Sequence, residues 1–199
     1  MSSTTSTEYT TPKGGLIPSS RRVMNLAYWL TQAARRFPSE PALIQGERSV
    51  SWIELDRRVN ALALALKARG ICCGDSVLVH TRNCQEIIET QIACFRLGAV
   101  WAPTNFRVSP DEANWLAELS GARLLIISAE FQDHHNVIKH AENAVEYTVR
   151  IGPGTIGDVS YEEFINEFDG QNCANTDVEH DDPCWYFFTS GTTGRSKAA

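Results

Sequence analysis

The sequence predicts an α/β fold in which crossover helices connect the strands of a parallel sheet. Helix and strand signals alternate at short intervals from residue 25 onward, which is typical of such folds. Residues 123–127 are almost continuously apolar, as expected for a strand that helices cover on both faces. Three helix patterns end at or just before Gly70, Gly98 and Gly121, and a strand signal follows each glycine. These features together place the chain in the α/β class.

The first elements follow a predicted flexible tail, residues 1–22, which is a Ser, Thr, Gly and Pro mixture without apolar periodicity. Residues 23–199 are predicted to be folded. A helix capped by Asn25 should end at Phe37, and a short hairpin with its turn at Gln45-Gly46 should follow. The apolar positions of this helix are Leu26, Trp29, Leu30 and Ala33.

The clearest helix begins at Ser51, which lies three residues before Glu54 in the spacing of a capping box. Its apolar stripe comprises Trp52, Leu55, Val59, Leu62 and Leu66. A strand is then predicted at 76–80, and a helix capped by Asn83 should run to Gly98. The apolar face of that helix is expected to be Ile87, Ile88, Ile92 and Phe95.

The alternation continues with strands at 99–102 and 123–127, separated by a helix that begins at Ser109 and stops at Gly121. Further on, the pattern predicts a helix within 133–142, a strand at 145–151 and a short helix that starts at Ser160. Residues 169–183 hold five acidic residues and no Lys or Arg, which predicts a solvated loop. A final strand is expected at 184–188.

The composition excludes several classes of protein. Acidic residues outnumber basic ones by 24 to 18, the formal charge is -6, and basic residues occur at most in pairs, so a nucleic acid is not an expected partner. No apolar stretch reaches the roughly 18 residues that span a bilayer, and no signal-type block precedes residue 20. We therefore expect a cytoplasmic protein without a transmembrane segment.

The 6 cysteines do not form a metal or disulfide pattern. Cys72 and Cys73 are adjacent, the others are scattered, and no C-x-x-C pair is present. We expect reduced thiols, and no Cys has a neighbour in sequence that would activate it as a nucleophile.

The segment Thr189 to Lys197 has the composition of a phosphate-binding loop. It combines two glycines, a Lys and five hydroxyl side chains, four of which precede position 195, and it directly follows a strand signal. Glycines let successive backbone N–H groups turn toward one anion, and hydroxyls and the ammonium add donors. The spacing does not match a Walker A loop, a dinucleotide fingerprint or a hydrolase elbow, and a plain surface loop is the alternative.

The segment FFTSGTTGRSKAA resembles the signature loop of the adenylate-forming, or AMP-binding, enzymes. Residues 188–194 match its consensus without a break, and Lys197 matches its conserved cation. Shorter segments also resemble this family, which includes acyl-CoA synthetases, and the similarity covers residues 23–199. The resemblance implies the amino-terminal subdomains of that fold, truncated at the carboxyl end.

The resemblance also implies an acid–thiol ligase (AMP-forming) that acts in two steps on a carboxylic acid, ATP and coenzyme A. The acid first gives an acyl-adenylate and pyrophosphate, and the thiol then displaces AMP. Mg²⁺ would accompany the nucleotide, and no side chain is assigned as a metal ligand. Lys197 would be the catalytic residue, offsetting charge on the leaving pyrophosphate. The nucleotide-binding residues carried over by position are Thr189, Ser190, Gly191, Thr192, Thr193, Gly194 and Lys197.

Two positions depart from the family pattern, with Ser196 in place of Pro and Ala198 in place of Gly. Ser196 should loosen the loop and Ala198 should restrict it. Residues 105–110 resemble fatty-acid and aryl-acid CoA ligases more than peptide-synthetase domains. The alternatives are an adenylation domain that loads a carrier protein and a non-catalytic nucleotide-binding or interaction module. Because the acyl pocket of the family lies beyond this loop, we expect the 199-residue chain to be inactive alone.

Three other groups of residues carry weaker functional hypotheses. His134, His135 and His140 suggest a metal site, but their spacing does not place all three on one helix face, so a surface helix with exposed imidazoles is favoured. His80 and Arg82 end a strand at the edge where α/β sheets bind ligands, although a pair satisfied by protein partners is favoured. The third group, Trp101 and Phe106, suggests the lining of a pocket, but aromatic residues at strand ends are usually core, so core positions are favoured.

Overall fold

The structure is a computed structural model that describes residues 9–10, 16–17, 22–189 and 196–199. The helices in these ranges are α1 Tyr28–Arg36, α2 Trp52–Ala68, α3 Gln85–Leu97, α4 Pro110–Ser120, α5 Gln132–His140 and α6 Tyr161–Asn166. The longer strands are β4 Pro41–Gln45, β5 Arg48–Ser51, β6 Ser76–His80, β7 Val100–Pro103, β8 Leu124–Ser128 and β9 Tyr147–Ile151. The two-residue strands are β1 Tyr9–Thr10, β2 Leu16–Ile17, β3 Arg22–Val23, β10 Val159–Ser160, β11 Val178–Glu179, β12 Phe188–Thr189 and β13 Lys197–Ala198.

The main sheet has five strands in the order β10-β9-β8-β6-β7, and every neighbouring pair is parallel. Strand β6, next to the edge strand β7, places Leu78 beside Ala102 of β7 and beside Leu125 of β8. After β6 the chain forms β7 on one side of it and then β8 on the other side, as in doubly wound sheets. The prediction of an α/β fold with a parallel sheet is confirmed.

Alternate residues of the strands pack into two separate apolar cores on the two faces of this sheet. On the first face, Val77 and Val79 of β6 contact α2, α3 and α6, whereas Leu78 lies on the second face with α4 and α5. Each strand is therefore apolar on both faces, because helices cover both. This explains the nearly unbroken apolar sequence of β6 and β8.

The buried face of α3 differs from the apolar face that its sequence predicts. Ile87, Ile88, Ile92 and Phe95 are only partly buried. The buried residues of α3 are instead Gln85, Glu89, Thr90, Ala93, Cys94, Arg96 and Leu97. This face packs on α2, where Arg58, Asp56 and Asn60 provide the partners that make burial of charged groups possible.

The carboxylate of Glu89 is the centre of this buried polar network. It is fully buried and accepts hydrogen bonds from Arg58 Nε (2.6 Å), Gln85 Nε2 (2.5 Å) and the hydroxyl of Tyr161 (2.7 Å). Arg58 also donates to Glu162 at 2.7 Å. The network thus connects α2, α3 and α6.

Several helix ends match their sequence signals and two do not. Ser51, Ser109 and Ser160 accept from the backbone N–H three residues ahead, and Gly98 and Gly121 end helices with positive φ of 67° and 58°. The predicted caps Asn25 and Asn83 are wrong, because the N-cap positions of α1 and α3 are Ala27 and Cys84. Asn25 instead joins distant segments, since its amide donates to the carbonyl oxygens of Phe95 and Thr176.

The predicted tail and the predicted acidic loop contain short paired strands. β1 pairs antiparallel with β2, and β3 pairs antiparallel with β11, which lies within residues 169–183. Residues 1–8, 11–15 and 18–21 lie outside the described part, so the assignment of 1–22 as a tail stays a prediction. No helix among the described residues is long and apolar enough to cross a bilayer.

Candidate functional site

The segment that precedes the signature loop extends the parallel sheet beyond β7. Trp101 N donates to Cys184 O at 3.0 Å, and Tyr186 N donates to Trp101 O at 3.0 Å, in a parallel bridge between Trp101 and Trp185. The structure thus does not form one strand over the predicted residues 184–188. It has an isolated bridge at Trp185, and β12 begins only at Phe188. Because the segment runs parallel to β7, it delivers the loop to the carboxyl edge of the sheet, where α/β proteins bind ligands.

The described ends of the loop form a small antiparallel hairpin. β12 pairs with β13 so that Thr189 lies directly opposite Lys197, and both side chains are exposed. Directly opposed residues of an antiparallel pair project from the same face, so the hydroxyl and the ammonium flank one surface. Ser190, Gly191, Thr192, Thr193 and Gly194 lie outside the described residues.

Helix α4 holds the second strand of this hairpin through two contacts with Ser196. The Ser196 hydroxyl donates to the carboxylate of Glu112, and Trp115 Nε1 donates to the Ser196 carbonyl oxygen at 3.0 Å. Ser196 is only 7% exposed. The expectation that Ser196 loosens the loop is therefore wrong at its described end, since this residue fixes the hairpin to α4.

The crevice between the carboxyl ends of β6 and β8 is bridged by protein contacts. The hydroxyls of Thr81 and Ser128 share a hydrogen bond, and Arg82 Nε donates to Glu130 at 3.0 Å. Doubly wound sheets commonly bind ligands in such a crevice, at the carboxyl ends of the strands where the strand order reverses. Here Arg82 has a protein partner, as the favoured sequence interpretation expects.

His80 lies in a fully buried pocket of side chains at the end of β6. Its Nδ1 bonds Thr104 Oγ1 at 2.6 Å, while that hydroxyl donates to the Val79 carbonyl oxygen at 3.2 Å. The ring stacks on His134, and its Nε2 has no hydrogen-bond partner among the described residues. Burial, together with the neighbouring His134, lowers the pKa of His80 to about 4, so the ring is neutral at pH 7.

The two aromatic residues near the edge differ in exposure. Trp101 is buried and meets Trp185 edge to face, with ring centroids 4.6 Å apart. Phe106 is partly buried and lies between two guanidinium groups, with Arg82 4.6 Å and Arg107 5.2 Å from its ring centroid. Trp101 is thus a core residue as predicted, whereas Phe106 lies at the boundary of the second core.

The three histidines of α5 do not share an environment. His140 is exposed, but His134 is partly buried and its Nε2 contacts the Val108 carbonyl oxygen at 2.9 Å. His135 is buried, and burial lowers its pKa. The prediction of three exposed imidazoles is therefore wrong for two of them. Within the described ranges no group of three or more His, Cys, Asp or Glu is placed to hold a metal ion.

Cys72, Cys73, Cys84 and Cys173 have the raised pKa values of unreactive thiols. Burial raises the pKa of Cys73 to about 11, and burial also raises the pKa of Cys84 and Cys173. For Cys72 the hydrogen bond to Asp75 is the main cause of a raised pKa. All six thiols are free, and such raised values disfavour the nucleophilic thiolate.

The fold and this edge define a class of protein, an α/β domain in which a glycine- and hydroxyl-rich segment follows at the carboxyl edge of the parallel sheet. Residues 30–199 match the AMP-binding enzyme family. The chain belongs to that family.

Similar proteins point in the same direction. The chain is 31% identical to a 3-hydroxybenzoate–CoA ligase of Aromatoleum sp. (strain CIB), over 83% of this chain and 31% of that protein. It is 32% identical to a feruloyl-CoA synthase of Amycolatopsis sp., over 89% of this chain and 33% of that protein. The crystal structure of an anthranilate CoA ligase in complex with anthranoyl-AMP matches with a TM-score of 0.82 and 25% identity, over 88% of this chain and 34% of that chain.

The chain therefore spans about a third of the length of the curated relatives it matches. The structural neighbours likewise match over only part of their own length, between 33% and 44%. The family match, residues 30–199, contains the parallel sheet and the signature loop.

Proposed function

We propose that the protein containing this chain is an ATP-dependent acid–CoA ligase, and that this chain supplies its pyrophosphate-binding loop. The single observation that carries the proposal is the hairpin that places Thr189 opposite Lys197 at the carboxyl edge of the sheet. Membership of the AMP-binding family and similarity to CoA ligases support the same assignment. The substrate class we propose is an aryl or fatty acid.

The reaction has two steps. The carboxylate of the acid attacks the α-phosphorus of ATP, which gives an acyl-adenylate and releases pyrophosphate. The thiol of coenzyme A then attacks the acyl carbon, which gives the thioester and AMP. The leaving pyrophosphate accumulates negative charge in the first step, so preorganised donors at that position lower the barrier.

The residues of the hairpin can supply such donors. The ammonium of Lys197 offsets charge, and the exposed hydroxyl of Thr189 donates a hydrogen bond from the opposite strand. Ser190, Gly191, Thr192, Thr193 and Gly194 add hydroxyl and backbone N–H donors in this proposal, as the family signature implies. Mg²⁺ bound with the nucleotide would neutralise part of the phosphate charge.

The test is acid-dependent exchange of labelled pyrophosphate into ATP by the protein that contains this chain, with hydroxybenzoic, cinnamic and fatty acids as substrates. We expect exchange with at least one of these acids, and thioester formation only when coenzyme A is added. Lys197→Ala should slow exchange by about 100-fold or more, as removal of a preorganised electrostatic group does. Lys139→Ala is the matched control, because it removes a Lys from an exposed pair with Asp158.

Two results would contradict the proposal. Exchange at the wild-type rate in Lys197→Ala would show that this ammonium does not act on the pyrophosphate. Adenylate formation without thioester formation, but with transfer to a carrier protein, would assign the protein to the adenylation domains instead.

A further inference from the structure

We infer that Ser196 and Glu112 form a clamp that positions the phosphate loop, and this inference rests on the proposed function. The clamp is the hydrogen bond from the Ser196 hydroxyl to the Glu112 carboxylate. Ser196 directly precedes Lys197, so any freedom at Ser196 would displace the ammonium that faces the nucleotide. Both residues are positioning residues, since neither is among the residues that we propose to contact the phosphates.

The carboxylate of Glu112 has a local partner available and does not use it. Ser109-x-x-Glu112 has the sequence of a capping box, in which the Glu side chain returns to the backbone N–H of the Ser. α6 closes that box with Ser160 and Glu163. In α4 the Ser109 side chain accepts from Glu112 N at 3.2 Å, but the carboxylate reaches Ser196, 84 positions further along the chain.

The chemistry of the two groups and their burial favour this contact. A hydrogen bond to an ionised carboxylate is roughly twice as strong as one between neutral groups. Ser196 is 7% exposed, so water competes little for its hydroxyl. Glu112 lies in the first turn of α4, where the helix dipole stabilises its negative charge.

A second contact holds the same residue from its backbone side. Trp115, one helical turn beyond Glu112, donates its indole N–H to the Ser196 carbonyl oxygen at 3.0 Å. The side chain and the main chain of Ser196 are therefore both bound to α4. The Pro that the family signature usually has at this position has no hydroxyl and could not make the Glu112 contact.

The first experiment measures kinetics of pyrophosphate exchange in the protein that contains this chain. We expect Glu112→Ala and Ser196→Ala each to raise the KM for ATP by about tenfold, and to leave the KM for the carboxylic acid within about twofold. The double variant should be no worse than the single ones, because both remove the same bond. Glu112→Gln should recover part of the loss, since its amide oxygen still accepts.

Asp111→Ala is the matched control, because it removes an exposed carboxylate from the same helical turn. A wild-type KM for ATP in Glu112→Ala would overturn the clamp, and so would additive losses in the double variant. Equal increases in both KM values, with a lowered melting temperature, would show a merely structural role and would overturn it as well.

A second measurement separates the clamp from the proposed function. Hydrogen–deuterium exchange of the peptide that spans residues 188–199 reports loop order directly and does not require activity. We expect this peptide to exchange hydrogen for deuterium faster in Glu112→Ala and Ser196→Ala than in wild type or Asp111→Ala. Unchanged hydrogen–deuterium exchange in the variants would overturn the clamp. A wild-type protein that does not exchange pyrophosphate into ATP would refute the proposed function alone.

Discussion

The two faces of the five-stranded sheet bury polar groups in opposite ways. On the face that α2, α3 and α6 cover, the buried charged groups are paired, with Glu89 bound to Arg58 and Arg96 bound to Asp56. On the face that α4 and α5 cover, the buried titratable groups are histidines, and burial favours their neutral form. Polar burial is thus achieved by pairing charges on one face and by losing charge on the other.

This difference has a consequence for the candidate site. The paired face connects three helices to each other and lies away from α4, the helix that holds the loop. The neutral face carries α4 and the side chains Phe106, Tyr186 and Phe188 that pack near the hairpin. The charged network and the contacts that hold the loop therefore lie on different faces, and substitutions can test each separately.

The largest expected effect is a loss of unfolding free energy when the charged network is disrupted. Glu89→Ala leaves the buried guanidinium of Arg58 without its main partner, which typically costs about 3 to 5 kcal/mol of unfolding free energy. Urea denaturation monitored by circular dichroism measures this loss. Glu162→Ala is the control, because its side chain is 59% exposed and its pair with Arg58 should contribute less than about 1 kcal/mol. Similar losses in the two variants would refute the assigned role of Glu89.

The next effect concerns the neutral face and depends on pH. The pKa of His80 is lowered to about 4 in the folded state, against an ordinary value of 6.5. The unfolded chain therefore binds more protons between these values, so stability present above pH 6.5 is lost as pH falls toward 4. The loss should reach about 3 kcal/mol. The measurement is denaturant unfolding at a series of pH values.

His80→Leu should make the stability of the protein less dependent on pH in this window. His135 will retain part of the dependence, because burial lowers its pKa too. An unchanged slope in His80→Leu would show that His80 is accessible to protons in the folded protein.

The smallest effect compares helix caps on the two faces. Ser160 both accepts from Glu163 N and donates to the Glu163 carboxylate, whereas Ser109 accepts from Glu112 N only. Ser160→Ala should therefore cost about 1 to 2 kcal/mol, and Ser109→Ala about 1 kcal/mol or less. Thermal unfolding of the two variants decides the order. A larger loss in Ser109→Ala would mean that the cap of α4 also supports the loop clamp.

Local sequence patterns predicted the elements because their causes are local. Ser51, Ser109 and Ser160 begin helices as their spacing indicates, and Gly98 and Gly121 end helices in the left-handed conformation that glycine adopts without strain. Alternation of these elements was enough to predict the parallel sheet. The caps Asn25 and Asn83 were wrong, and Asn25 in fact holds carbonyl groups 70 and 151 positions away.

The sequence identified candidate site residues but not the side chains that hold them in place. The signature identified Thr189 and Lys197, and their opposition in the hairpin agrees with a shared role. The contacts of Glu112 and Trp115 with Ser196 were not predicted, because the sequence around these two residues explains them as helix residues. For the same reason the ion pairs of Glu89 and Arg96 were not predicted, since nothing near them in sequence supplies the opposite charges.

The sequence by itself determined the α/β class, the order of the elements and the identity of the signature loop, because periodicity, capping and glycine positions act within a few residues. Only the tertiary structure decided which polar side chains are buried, which histidines lose their charge and how Ser196 is held. These outcomes depend on partners that are distant in the chain. Burial without a partner is costly, so the three-dimensional neighbour, rather than the residue type, decides the role of each polar group.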